Sequence, residues 1–342
     1  MSAYFFVFFL NVFAGLLWNK SRLGNVVLLS IMIVFMTLFI GLKYEVGTDH
    51  GNYLGLFYRF MMDAEFDLLF PEYGYYLINR FSGAVGLDLQ FVYFICGALM
   101  SYFTYRAAQV IDINPFYFFA IIFPFHIVML GISGVRQGVA ESIFIFAFSL
   151  LILTKYRKYI LFLLIAMGFH LSALFFVFLR YITVKKRWLI LFAFVSIPLM
   201  IYLYEFRYAH YADTTLYNQG AYLRVGFLVG VSFVFLLLSK VLVVAPNNLE
   251  HSRFFNFFIY SPVVLFLLIP LSSTLIDRIS YYFILAEVIY FMYFFRLYSN
   301  RMSYKVGLTS ILLASFISLV AFAFFGNNAE NYQYNNIIFE MF

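Results

Sequence analysis

Apolar runs of about 20 residues recur along the whole chain, and nothing else in the sequence constrains the fold as strongly. A membrane-spanning helix needs ~20 apolar residues, with ~17–25 tolerated. Runs of this kind occupy 2–18, 24–42, 89–106, 114–132, 134–154, 188–205, 223–244, 255–273, 279–296 and 306–325. Sixty-five per cent of the 342 residues are hydrophobic and 11% are charged, against ~25% charged in soluble domains. Lipid is therefore the expected solvent. Hydrocarbon leaves the backbone only helices or closed barrels, and these run lengths suit helices. The expectation is all-α: one polytopic transmembrane domain over 1–342, a helix bundle with about ten spanning helices. The 49 Phe and 29 Tyr supply helix contacts and interfacial belts.

Other classes fall away. The lone cysteine, Cys96, lies in an apolar run, so no intrachain disulfide framework or CxxC metal spacing exists. The first run lacks a basic leader and reads as a span, not a signal peptide. The net charge of +6 reports membrane orientation here and carries no expectation of nucleic acid. Lys20/Arg22, Lys155/Arg157/Lys158, Lys185/Lys186/Arg187 and Arg296/Arg301/Lys305 form the basic clusters expected on the cytoplasmic side. Two of them flank the apolar stretch 159–182, and a single crossing there would put one cluster outside. The parity predicts a re-entrant hairpin of two short helices turning near Gly168, Phe169 and His170. Arms of about 11 residues reach only ~17 Å. Both termini and the loops 43–88 and 205–222 then face outward, toward the periplasm. Fifteen of 22 cations lie inside under this topology, and 12 of 16 acids lie outside.

Six of the seven outer cations are arginines, whose rigid fork suits phosphate. Six places stand out. Asp49, in Gly47-Thr48-Asp49 with Tyr53 after it, is a candidate base or sugar ligand, or else a cap for the next helix. Glu72, in Pro71-Glu72-Tyr73-Gly74-Tyr75 with Arg80 beyond, is a candidate carboxylate or a helix-start residue. Arg136, in Ser133-Gly134-Val135-Arg136-Gln137, opposes a helix dipole, so an anion is expected beside it: a phosphate, or Glu141. His170 sits at the hairpin turn as an acid/base, a sugar ligand or a structural bond. His126 reads as a packing or network residue. Arg224 after Tyr222, and Asp277-Arg278 with Tyr281 and Glu287, repeat the pattern of an outer arginine at a helix start. Asp277 has Arg278 as its obvious partner. Arg136, Arg224 and Arg278 together suggest one converging cationic pocket. No GxSxG, P-loop, HExxH or cysteine-rich site occurs, so neither a cofactor nor a bound metal is expected.

Five fragments, VGTDHGNY (46–53), PEYGYYLINRF (71–81), SGVRQGVA (133–140), GFHLSAL (168–174) and DRISYYF (277–283), stand in the order found in the EpsG-like branch of Wzy-type polysaccharide polymerases. The chain resembles that family over most of its length, with Lys43 where the family often shows Arg. The resemblance implies an enzyme of the bacterial inner membrane, similar to membrane-embedded GT-C-type glycosyltransferases. It would join undecaprenyl-diphosphate-linked oligosaccharide units into O-antigen, capsule or exopolysaccharide at the periplasmic face, without metal. It also implies membrane lipids, a chain-length regulator and a flippase as partners. Asp49, Glu72 or His170 would be the base. Arg136, Arg224 and Arg278 would hold the diphosphate, and Gln137, Tyr281, Arg80 and Tyr53 would line the substrate site. Competing expectations are a flippase for the same lipid, an acyltransferase acting on the glycan, and a non-enzymatic subunit of a polysaccharide complex.

Overall fold

The computed structural model describes residues 1–18, 22–61, 72–182, 218–240 and 249–340. The expected span 188–205, most of the 205–222 loop and the middle of the 43–88 segment lie outside the described residues. What is described is all-α, as a lipid environment requires of a backbone that must bond to itself. Among the described residues the only bridge between extended segments is an isolated antiparallel pair, Lys43 with Asn336.

The helices are α1 (Ser2–Leu17), α2 (Arg22–Gly41), α3 (His50–Met61), α4 (Tyr73–Ala84), α5 (Leu89–Val110), α6 (Pro115–Phe123), α7 (Val135–Ile152), α8 (Tyr156–Met167), α9 (Leu179–Ile182), α10 (Gly220–Ser239), α11 (Leu249–Leu268), α12 (Ser273–Tyr298), α13 (Arg301–Phe325) and α14 (Ile337–Glu340). Local sequence explains several starts. Asp88 accepts the Gln90 amide ahead of α5, Asn114 accepts the Phe116 and Tyr117 amides with Pro115 following, and Ser272 accepts the Leu275 amide. By length and composition, five helices among the described residues are able to cross a membrane: α2, α7, α10, α11 and α13. Helices α5 and α12 are as long, at 22 and 26 residues. They carry more polar groups, such as Thr104 and Arg106, and Asp277 and Glu287.

The chain divides into two compact units, Met1–Leu174 with Ser315–Phe342, and Phe175–Ala314. In the first, α5 and α7 pack together, α2 packs on α5 and α8 on α7. Small residues allow α2 and α5 to approach: a Cβ on Gly41 would lie 2.7 Å from the Phe94 Cα, and one on Gly97 would lie 3.0 Å from the Thr37 carbonyl. Helix α6 changes at Pro124 into a π-helix, Pro124–Gly131. Proline lacks the amide that the α-helical ladder requires, and the wider turn carries the fully buried His126. In the second unit α10, α11 and α12 pack together. Pro262 within α11 cannot donate to the carbonyl of Phe258. The Ser232 hydroxyl, shared with buried Glu287, donates to it instead at 2.8 Å.

The segment expected as the outer loop 43–88 contains two amphipathic helices, α3 and α4. The apolar stretch 159–182 is interrupted where its turn is expected. Helix α8 ends at Met167, and a 3-10 helix, Leu171–Phe178, follows. Twelve residues of α8 reach only ~18 Å.

Replacing Gly97 by Leu should lower stability by about 1–3 kcal/mol through overpacking. Gly230→Ala, where a Cβ meets nothing within 4 Å, should change it little. Unfolding midpoints in detergent test this; equal midpoints for the two variants would contradict the close α2–α5 contact.

Candidate functional site

The site begins at an irregular segment between α2 and α3. Burial of Lys43 is nearly complete, at 1% exposure, and its ammonium donates to the carbonyls of Gly131 (3.0 Å) and Ile132 (2.5 Å). It also lies 4.3 Å from the centroid of the Tyr93 ring. Two carbonyls and an aromatic face are the partners a buried cation needs at the C-terminal end of a helix. Burial pushes the Lys43 ammonium down to about 7. Gly47 then turns with φ +96°, and a Cβ there would stand 2.5 Å from the Ile132 carbonyl. Only glycine makes that approach without strain.

Ser133 joins this segment to the start of α7. Its hydroxyl lies 2.9 Å from the Thr48 hydroxyl and accepts the Asp49 amide at 3.2 Å. One turn into α3, the Tyr53 hydroxyl accepts the Arg136 amide at 3.3 Å. Burial pushes the Tyr53 phenol up to about 12, so it stays a neutral hydrogen-bonding group. The guanidinium of Arg136 donates to Glu72 at 2.5 Å and lies 5.7 Å from the ring centroids of both Tyr53 and Tyr75. Its Nε is buried without a hydrogen-bond partner. The Arg136 side chain keeps 27% exposure while Glu72 keeps 5%. A charged fork is thus held by one carboxylate and two aromatic rings, with donor capacity to spare. Asp49 is half-buried, pinned through its main chain.

The sequence offered Glu141 as the carboxylate partner of Arg136. The structure supplies Glu72 instead. Five residues along an α-helix rotate by ~140°, so Glu141 points elsewhere. It accepts from Gln137 at 2.9 Å and lies 3.4 Å from His126. His126 in turn reaches Ser142 (2.8 Å) and Thr104 (3.3 Å). Gln137 therefore belongs to this buried network, as His126 does.

The turn 168–170 joins the same region. The carbonyl of Gly168 accepts the amides of Gly74 (2.6 Å) and Tyr75 (3.4 Å), at the start of α4. The Nδ1 of His170 accepts the Ser172 amide at 3.3 Å and meets the Ser172 hydroxyl at 2.6 Å, bonds that shape the turn. Arg80 donates to the Phe60 carbonyl at 2.9 Å and ties α4 to α3. Four of the six places singled out in the sequence, around Asp49, Glu72, Arg136 and His170, are therefore brought together in the first unit.

The other two meet in the second unit. Arg224 pairs with Asp277 through Nε at 2.5 Å and through Nη2, and its guanidinium lies 4.5 Å from the Tyr281 ring. Asp277 thus pairs with Arg224 across helices and not with its neighbour Arg278, because adjacent helical residues point ~100° apart. Tyr75 and Lys43 are the members that sequence reasoning undervalued. Tyr75 was one tyrosine among many, and Lys43 signalled itself as the one lysine among the cations expected outside and as a lysine where the family often shows Arg. Among the described residues no three His, Cys, Asp or Glu side chains are grouped to hold a metal ion.

The buried lysine gives a pH signature. In the folded chain its proton leaves near pH 7, whereas in the unfolded chain it stays until about 10.5. The unfolded state binds more protons across that window, so stability should rise with pH between them. Lys43→Met should flatten that rise in detergent unfolding curves; an unchanged slope would contradict the assignment.

Residues 26–336, nearly the whole chain, match the EpsG family. No curated protein and no solved structure matches. An all-α membrane chain matching this Wzy-like, polymerase-type family over nearly its whole length, with the family-like fragments gathered into two arginine clusters, belongs to the EpsG family, which supports a membrane polysaccharide polymerase-like role in general.

Proposed function

We propose that the chain joins undecaprenyl-diphosphate-linked oligosaccharide units into a surface polysaccharide at the periplasmic face of the bacterial inner membrane, by metal-independent glycosyl transfer. The observation that carries this reading is the Arg136 guanidinium, clamped between Tyr53 and Tyr75, paired with Glu72 and left with an unpartnered Nε–H. An arginine fork matches a diphosphate oxygen pair.

In the proposed step an acceptor sugar hydroxyl gives its proton to a carboxylate while its oxygen attacks the anomeric carbon of the donor. The bond from that carbon to the diphosphate oxygen breaks, and the lipid diphosphate leaves with the electron pair. Asp49 suits the base better than its rivals. It is half-buried and therefore reachable, whereas Glu72 is committed to Arg136 and His170 Nδ1 to Ser172. Glu72 is then the residue that orients Arg136, and Arg136 stabilises the charge that develops on the departing diphosphate. Arg224, Arg278 and Tyr281 are proposed as further substrate-binding residues. The parity of the basic clusters supports a chain that returns to the cytoplasmic side after 159–182, keeping the arginines on the outer face. A chain-length regulator and a flippase would act alongside it.

The test is a polymer ladder from purified protein and lipid-linked repeat unit, with EDTA and without nucleotide sugar. Asp49→Asn and Arg136→Ala should each lower the rate by ~10²–10³, while Glu72→Gln should cost less than Asp49→Asn. A wild-type ladder from folded Asp49→Asn protein would remove Asp49 as the base. Lipid transport in liposomes without any ladder would favour the flippase instead.

A further inference from the structure

The segment that carries Lys43 and Asp49 has no regular structure of its own between the end of α2 and the start of α3. Its backbone groups must still be satisfied, and a distant part of the chain does this. The amide of Gly47 donates to the Asn331 carbonyl at 2.9 Å, and that of Tyr44 to the Asn335 carbonyl at 3.1 Å. In return the Ile337 amide donates to the Leu42 carbonyl at 2.9 Å, and Lys43 bridges antiparallel to Asn336. Tyr334 anchors this lacing. Its ring stacks on Phe39 at 4.4 Å with 6° between planes, its hydroxyl donates to the Phe39 carbonyl at 2.8 Å, and the buried Tyr4 closes edge-on at 6.1 Å.

The tail holds the main chain of residues 42–47. Lys43, held there, pins the carbonyls of Gly131 and Ile132. Gly47 seats against Ile132, and Thr48 and Asp49 close on Ser133, three residues before Arg136. We infer that the C-terminal segment Asn331–Ile337 is part of the site: it sets the position of Asp49 relative to Arg136, with Tyr334 as a positioning residue that contacts no reacting atom. Only the activity readout of its test rests on the polymerase reading.

The experiment uses full-length protein in detergent and combines amide hydrogen exchange with the ladder assay. In the wild type the amides of Tyr44, Gly47 and Ile337 should be protected. In Tyr334→Ala that protection should fall, and the fall should extend to the amides of Asp49 and Arg136, bonded to Ser133 and Tyr53, while the middle of α5 stays protected. The kcat should drop by roughly tenfold or more, as displacement of a reacting group does, with KM nearly unchanged. Tyr334→Phe keeps the stacked ring and should restore most of both. Should Tyr334→Ala not fold, Tyr334→Leu, which keeps apolar bulk without the flat ring, should give the same pattern in weaker form. Loss of protection at Tyr44 and Gly47 with Asp49, Arg136 and kcat unchanged would overturn the inference. So would full protection at Tyr44 and Gly47 in the folded variant. A wild-type protein without a ladder would count against the polymerase reading alone, because the exchange pattern decides the positioning claim independently.

Discussion

In hydrocarbon a polar group has no water to fall back on, and this constraint shapes each feature of the fold. It turns the backbone into helices and makes every interruption need a partner. Where Pro124 widens α6, the buried His126 is met by Ser142, Thr104 and Glu141. Where Pro262 frees a carbonyl in α11, Ser232 takes it up. At the end of the π-helix the carbonyls of Gly131 and Ile132 are capped by Lys43. An unpaired group in such surroundings costs several kcal/mol, so each of these contacts is a fixed point.

The candidate site grows from those fixed points. Lys43 and Gly47 lock one segment to the entrance of α7, and Ser133 passes the constraint to Thr48 and Asp49. Arg136 then opens the helix against its dipole, and Glu72 with two tyrosine rings offsets that charge. On the proposed reading such a group meets the negative charge of the departing diphosphate without rearranging at the moment of reaction. The carboxylates differ by environment: Glu72 is buried in an ion pair, and Asp49 stays within reach of solvent. On the proposed reading Glu72 orients Arg136 and Asp49 is the base.

Much of this was legible in the sequence, and the reasons for the rest are physical. Run length and polarity revealed the helices. The predominance of arginine among the cations expected on the outer side drew attention to Arg136 and Arg224, and the segments around Asp49, Glu72, Arg136 and His170 do meet. Partners within a helix are guided by spacing, but partners between helices are not. Arg136 pairs with Glu72 and Arg224 with Asp277, across sequence separations of 64 and 53 residues. The tail that laces residues 42–47 left no signal, because its bonds are between main-chain groups that every sequence possesses. Tyr75 was hidden by the abundance of its own residue type.

On the proposed reading the Arg136 fork binds a lipid diphosphate. The most direct measurement is a ¹⁵N–³¹P dipolar coupling by solid-state NMR, on protein labelled in its arginine guanidinium nitrogens and loaded with polyprenyl diphosphate in bilayers. A coupling that is present in the wild type and clearly weakened in Arg136→Lys is the result expected. A coupling that persists unchanged in Arg136→Lys, or none in a wild-type sample shown to have bound the lipid, would contradict it.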